Sequence, residues 1–85
     1  MFRNITIKDV KNNIANWCKT LRKADGLSQQ QLANELNLSR ITISKLENGE
    51  NFTIETLLKV LQHFNQMDTF NDFVVNNTNT DQSLY

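Results

Sequence analysis

The chain has 85 residues, the size of one small domain, and its 39% apolar content is enough for a compact core and argues against wholesale disorder. A single cysteine excludes an intrachain disulfide, no apolar run approaches the ~20 residues that a membrane span needs, and the first residues lack the apolar core of a signal peptide. We therefore expect a cytoplasmic protein without membrane contact. The absence of proline, together with only two glycines, predicts helices throughout.

The net charge is zero, which counts against simple nucleic-acid binding, but the charge is distributed unevenly. Residues 1–49 carry eight Lys and Arg against four Asp and Glu, a net charge of +4, whereas residues 50–85 carry one Lys against five acidic residues, a net charge of −4. This asymmetry is typical of a protein with one half facing DNA and the other turned away from it.

The first predicted helix starts after Thr6, which forms a capping-box pattern with Asp9, and ends near Ala24 before Gly26. Ile5 is placed to form a hydrophobic staple with Val10 across the start of this helix. The apolar residues recur on one face that we expect to pack inward, with Trp17 and Cys18 as core residues rather than a base platform or a reactive thiol. That face contains Ile7, Val10, Ile14, Trp17, Cys18 and Leu21.

Two short helices follow, at 29–36 and 40–47, joined by a tight turn. Ser28 is placed to cap the first and Ser39 the second, and Asn37 suits the left-handed backbone that ends the first. The small Ala33 is expected where the two helices cross.

The second of these helices has an inward and an outward side. Ile43 and Leu46 form the inward side. A helix about 10–12 Å across fits the major groove of B-DNA, so the outward side chains are candidates for meeting base edges. They are Arg40, Ile41, Thr42, Ser44 and Lys45.

This stretch resembles the helix-turn-helix of the XRE family, the phage-repressor and Cro-like DNA-binding domains. The segments that match the family's positions without a gap are Leu27-Ser28-Gln29, Leu32-Ala33, Leu38-Ser39, Thr42-Ile43-Ser44 and Leu46-Glu47-Asn48-Gly49. The likeness runs from about Ile14 to about Phe73. It implies an all-α fold, a compact five-helix domain of the lambda-repressor-like type with a central helix-turn-helix, and sequence-specific double-stranded DNA binding by a transcription regulator, in the first instance a repressor.

The resemblance also implies roles for individual residues. It assigns base contacts to Arg40, Ile41 and Lys45, with Thr42 beside them. It assigns phosphate contacts to Gln29 and Asn48, with Ser44 close by. It further implies an ion pair between Arg22 and Glu47 that ties the first helix to the end of the third, the main alternative being a phosphate contact for Arg22.

The remaining chain predicts two more helices. Thr53 caps the fourth, whose apolar face contains Ile54, Leu57, Leu58, Leu61 and Phe64, and Asn65 ends it. The fifth is expected over 68–75. Its apolar residues either close the core or form a patch for a second subunit: Phe70, Phe73 and Val74. The polar segment 76–85 is expected to be a flexible tail, which gives a domain over 1–75.

Several functions can be weighed at this stage. The resemblance implies a homodimer on an inverted-repeat operator, and the alternative is an antitoxin that neutralises a partner toxin and regulates its own operon. An enzyme is not expected, because there is no phosphate-binding loop and no nucleophile with a base, and no cofactor is expected either. His63 is the only histidine and lacks neighbours at ligand spacing, so no metal site is expected.

Overall fold

The computed structural model describes residues 4–82, and the surroundings of side chains only as far as residue 78. Within that range the chain forms helices and no strand, so the all-α prediction is confirmed. The helices are α1 (Ile7–Ala24), α2 (Gln29–Leu36), α3 (Arg40–Glu47), α4 (Ile54–His63) and α5 (Met67–Gln82).

Local capping explains where the helices start and stop. Thr6 and Ser28 each accept a hydrogen bond from the backbone N–H three residues on and close a full capping box. The backbone N–H of Thr6 donates to the Asp9 carboxylate at 3.0 Å, and this lowers the pKa of Asp9. Asn37 and Asn65 adopt the left-handed backbone, with φ of 57° and 59°, which ends α2 and α4 as predicted.

The core is built where α1, α2 and α4 meet α3. Its buried residues are Cys18, Leu32, Ala33, Ile43, Leu46, Leu57, Val60 and Leu61. Trp17 packs against this cluster from α1 and Phe70 from the start of α5. Trp17 is therefore half-buried against the core, in agreement with the packing role predicted for it.

The start of α1 differs from the sequence prediction. Ile7 is 81% exposed, and Ile5 and Val10 are exposed as well, although the apolar periodicity predicted an inward face. The first apolar residues of α1 that are at least half-buried are Ile14 and Ala15, so the apolar residues of its first turn are not covered by the core. The prediction for Ile54 was also wrong, because this first residue of α4 points to solvent.

The last helix is longer than expected. It runs to Gln82 rather than to residue 75, so the predicted end of this helix was wrong. The segment contains neither glycine nor proline to stop it. Its polar side chains bond back to the helix: Asn77 Nδ2 donates to the Phe73 carbonyl at 2.7 Å. Residues 83–85 lie outside the described residues, and both the tail's flexibility and the domain boundary at 75 stay predictions.

No helix in residues 4–82 is both long enough and apolar enough to cross a membrane.

Cys18 is 1% exposed. Its burial, with a smaller effect of the Glu47 carboxylate, raises the pKa of its thiol to about 12.

The shifted thiol makes stability depend on pH. The unfolded chain releases the Cys18 proton near pH 9, whereas the folded protein retains it up to about pH 12. The folded state therefore binds more protons in this window, and the free energy of unfolding should fall as pH rises, by about 1.4 kcal/mol per unit. Urea denaturation at pH 9.5 and 10.5 measures this slope, with Cys18→Ala as the control. Equal slopes in the parent and the control would refute the effect.

Candidate nucleic-acid interface

Helices α2 and α3 form the central unit of the molecule. Ala33 of α2 is fully buried, in the core cluster that also contains Ile43 and Leu46 of α3. The backbone N–H of Leu38 donates to the Ala33 carbonyl at 2.9 Å and closes the turn after α2. Ser39 Oγ then accepts from the N–H of Thr42 at 3.1 Å and starts α3. The turn is thus fixed by backbone geometry as well as by packing.

The orientation of α3 is settled by its burial pattern. Ile43 and Leu46 are both 0% exposed. Arg40 and Lys45 are exposed on the other side, and Ile41 between them is 64% exposed. The side of α3 that carries the candidate base contacts is therefore exposed to solvent.

A buried ion pair holds the end of α3 against α1. Arg22 Nε donates to Glu47 Oε2 at 2.7 Å, and Arg22 Nη2 donates to Glu47 Oε1 at 2.8 Å. The third contact of the guanidinium is the Leu27 carbonyl, at 2.7 Å from Nη1. These bonds to Glu47 raise the pKa of Arg22, against the opposing effect of burial. Arg22 and Glu47 thus form a bidentate ion pair, as the resemblance implied.

Gln29 connects this ion pair to the outward side of α3. Its Nε2 donates to Glu47 Oε1 at 3.1 Å, and its Oε1 accepts from Arg40 Nη1 at 3.4 Å. The side-chain amide of Gln29 is therefore used within the protein, between the buried carboxylate and an exposed guanidinium. Sequence reasoning missed this link, because no local spacing rule places residue 29 against residues 40 and 47.

The other polar candidates lie along α3 and just past it. Thr42 Oγ1 and Ser39 Oγ share a hydrogen bond of 2.9 Å, so the Thr42 hydroxyl is engaged at the helix start. Asn48 Nδ2 donates to Ser44 Oγ at 3.3 Å, and these two residues form a polar pair at the end of α3. Ser44 is half-buried and Asn48 exposed.

Comparison with known proteins agrees with this geometry. The helix-turn-helix family model, which describes DNA-binding transcription regulators of the XRE type, matches residues 19–68. The chain belongs to this helix-turn-helix family. The match covers α2, α3 and α4, whereas most of α1 and nearly all of α5 lie outside it.

A curated relative adds one more similarity. The chain is 38% identical over 50 residues to the antitoxin HipB of Escherichia coli (strain K12). That alignment covers 58% of this chain and 57% of the relative, so the chain spans a little over half the length of the relative it matches. No solved structure matches the chain.

The three apolar candidates on α5 differ in how deeply the structure buries them. Phe70 is half-buried and packs on the core. Phe73 is 66% exposed, and Val74 is exposed beside it. Of the two roles that the sequence left open, Phe70 takes the core role; contact of the exposed Phe73 and Val74 with a second subunit stays a prediction.

His63 contacts a side chain of α2 and the residue that follows α4. Its Nε2 lies 2.9 Å from Glu35 Oε1, and its ring meets Phe64 edge-on, so it links α4 to α2. In residues 4–82 no group of three or more His, Cys, Asp or Glu side chains is arranged to hold a metal ion.

Proposed function

We propose that this chain is a sequence-specific regulator of transcription, acting in the cytoplasm as a repressor, that reads the major groove of double-stranded DNA with α3. One observation carries the proposal: Ile43 and Leu46 are wholly buried, which turns Arg40, Ile41 and Lys45 outward on the same helix. Membership of a family of DNA-binding regulators supports it. Such regulators are not enzymes in general, and we propose no catalytic activity or cofactor.

The outward residues suit different base edges. The Arg40 guanidinium has the fork geometry that binds a guanine edge through two hydrogen bonds, worth ~1–3 kcal/mol of discrimination. The apolar Ile41 suits the methyl group of thymine. Lys45 reaches a guanine or a phosphate, and Thr42 lies between these residues on α3.

The phosphate contacts flank this reading surface. Ser44 and Asn48 present a hydroxyl and an amide at the end of α3. The side chain of Gln29 is occupied by Glu47 and Arg40, so its contact with phosphate falls to its backbone N–H at the start of α2, where the helix dipole favours an anion. These contacts set the position of the protein on the duplex without reading its sequence.

A matched pair of substitutions tests the assignment. Arg40→Ala should weaken binding and relax the preference at one base position, by about 1–3 kcal/mol. Asn48→Ala should weaken binding to all sequences by the same factor. Competition binding across a library of duplexes measures both. If the two variants give the same relative affinities over the library, the division into base and phosphate contacts is wrong; if the parent prefers no sequence, the proposed function is wrong.

A domain of this size contacts one short half-site, so we propose that two chains bind an inverted repeat with half-sites about one helical turn apart. The exposed Phe73 and Val74 are the proposed interface. Sedimentation of the protein with a palindromic duplex should give two chains per duplex, and Phe73→Ser should weaken this assembly. A saturated complex of one chain per duplex would exclude the dimer.

A second candidate function is that of an antitoxin, favoured by the similarity to HipB. The protein would then hold a toxin with one surface while α3 binds the promoter of their common operon. The test is co-expression with the product of the adjacent gene. A stoichiometric complex that suppresses toxicity of that product supports the antitoxin function, whereas a harmless, non-binding neighbour excludes it for that gene pair.

A further inference from the structure

A polar cleft of about 360 Å³ lies beside the end of α3, where the first half of α1 passes the loop that leads to α4. The cleft is lined by Lys11 from α1, Lys45 from α3, and Glu50 and Asn51 from the loop. Lys11 precedes the segment that the family model matches, so neither the resemblance nor the comparisons assign it a role. The cleft adjoins the outward side of α3 through Lys45.

Lys11 is held at the cleft by two features. Its Nζ donates to Asn51 Oδ1 at 2.7 Å, a bond across 40 positions of the chain. One turn of α1 is also pressed against the loop: a Cβ placed on Gly49 would lie 3.5 Å from Asn12 Cα and would collide with the Asn12 side-chain oxygen. The ammonium group is thus positioned by the fold, and the described residues accept only one of its three N–H donors.

The charges of the cleft favour an anion. Two ammonium groups face one carboxylate, that of Glu50. The described residues offer neither Lys11 nor Lys45 an ion-pair partner within 4.0 Å, and the Lys45 side chain forms no hydrogen bond with them. Lysine acts on phosphate as a compact point charge with rotatable donors, which suits a site at the edge of a groove.

From this arrangement we propose that Lys11 binds a backbone phosphate of the DNA duplex at this cleft, next to the position that Lys45 reaches. The contact rests on the proposed function and adds to it: it extends the DNA-binding surface from the helix-turn-helix onto the first half of α1. Because the ligand is a phosphate, the contact contributes affinity for every sequence and no preference among them.

Salt dependence of binding tests the contact. Each phosphate neutralised by a lysine steepens the fall of log K with log salt by ~0.9. Lys11→Met, which keeps an unbranched side chain but removes the charge, should lower that slope by ~0.9 for each chain bound. Raising the salt from about 50 to about 200 mM should therefore weaken binding by this variant less than binding by the parent, by about 3.5-fold for each chain bound. The loss of affinity at low salt, about tenfold for each chain bound, should be equal on a preferred duplex and on a random one.

The matched control is Lys59→Met, which removes the same charge from α4, where Lys59 pairs with Glu55 at 3.7 Å. Its salt slope should equal that of the parent. A parent-like slope for Lys11→Met, or an equal reduction in both variants, would overturn the Lys11 contact while leaving the proposed function intact. If the parent binds no duplex at all, the proposed function itself is wrong, and the Lys11 contact falls with it.

Discussion

Replacing Glu47 with alanine should lower the free energy of unfolding by about 3–5 kcal/mol, the usual cost of leaving one member of a buried ion pair without its partner. The guanidinium of Arg22 would keep only its bond to the Leu27 carbonyl, and Nε and Nη2 would lose both carboxylate oxygens. Small domains have total stabilities of about 5–15 kcal/mol, so this single change removes a large share. Urea denaturation of the parent and the variant gives the difference.

A double variant separates the charge from the packing. Arg22→Met with Glu47→Leu fills similar volume without a buried charge, and such replacements are often neutral or stabilising. We expect its stability to lie near that of the parent. Its DNA affinity should nevertheless be lower. Gln29 Nε2 loses the Glu47 oxygen that accepts its hydrogen bond, so the Gln29 amide is no longer held in place beside Arg40. If the free energy of unfolding of Glu47→Ala falls by less than about 1 kcal/mol, water reaches the site and the ion pair does not fix α3 against α1.

The local signals in the sequence predict the helix-turn-helix well. The bounds predicted for α2 and α3 coincide with the observed ones, because Ser28, Asn37 and Ser39 each act within a few residues of themselves. The inward side of α3 follows from the spacing of Ile43 and Leu46 for the same reason. A cap or a periodic face needs no knowledge of the rest of the chain.

Features that depend on distant packing were not predictable in this way. The periodicity of α1 correctly places Ile7 and Val10 on the same side as Ile14, but periodicity gives a direction and not the length of the helices that lie opposite. The end of α5 was missed because a polar segment without glycine or proline can continue a helix already anchored by Phe70.

The same limit applies to the candidate site. The resemblance placed Arg22 against Glu47, and the structure has them paired. The bonds of Gln29 to Glu47 and of Lys11 to Asn51 join positions 18 and 40 residues apart, on elements whose relative placement only the folded chain defines. Residue types alone gave no reason to connect them.

Ala33→Leu should cost about 3 kcal/mol of stability, at the upper end of the usual range for overpacking. Ala33 is fully buried in the core cluster with Ile43 and Leu46 of α3, so we expect three added carbons to find space only if the helices move apart. The control is Ala24→Leu, which adds the same atoms at an exposed position of α1 and should change stability by no more than about 0.5 kcal/mol. Thermal or urea denaturation compares the two.

The fraction of Ala33→Leu that stays folded should also bind DNA less tightly. The bond between Arg40 and Gln29 is already 3.4 Å long, so any separation of α2 from α3 breaks it and releases Arg40 from its position on the reading surface. Binding measured well below the unfolding temperature, where most of the variant is folded, isolates this effect from the loss of stability. Parent-like stability and affinity in Ala33→Leu would show that the distance between α2 and α3 is not set by residue 33, and that the packing on which the orientation of α3 depends lies elsewhere.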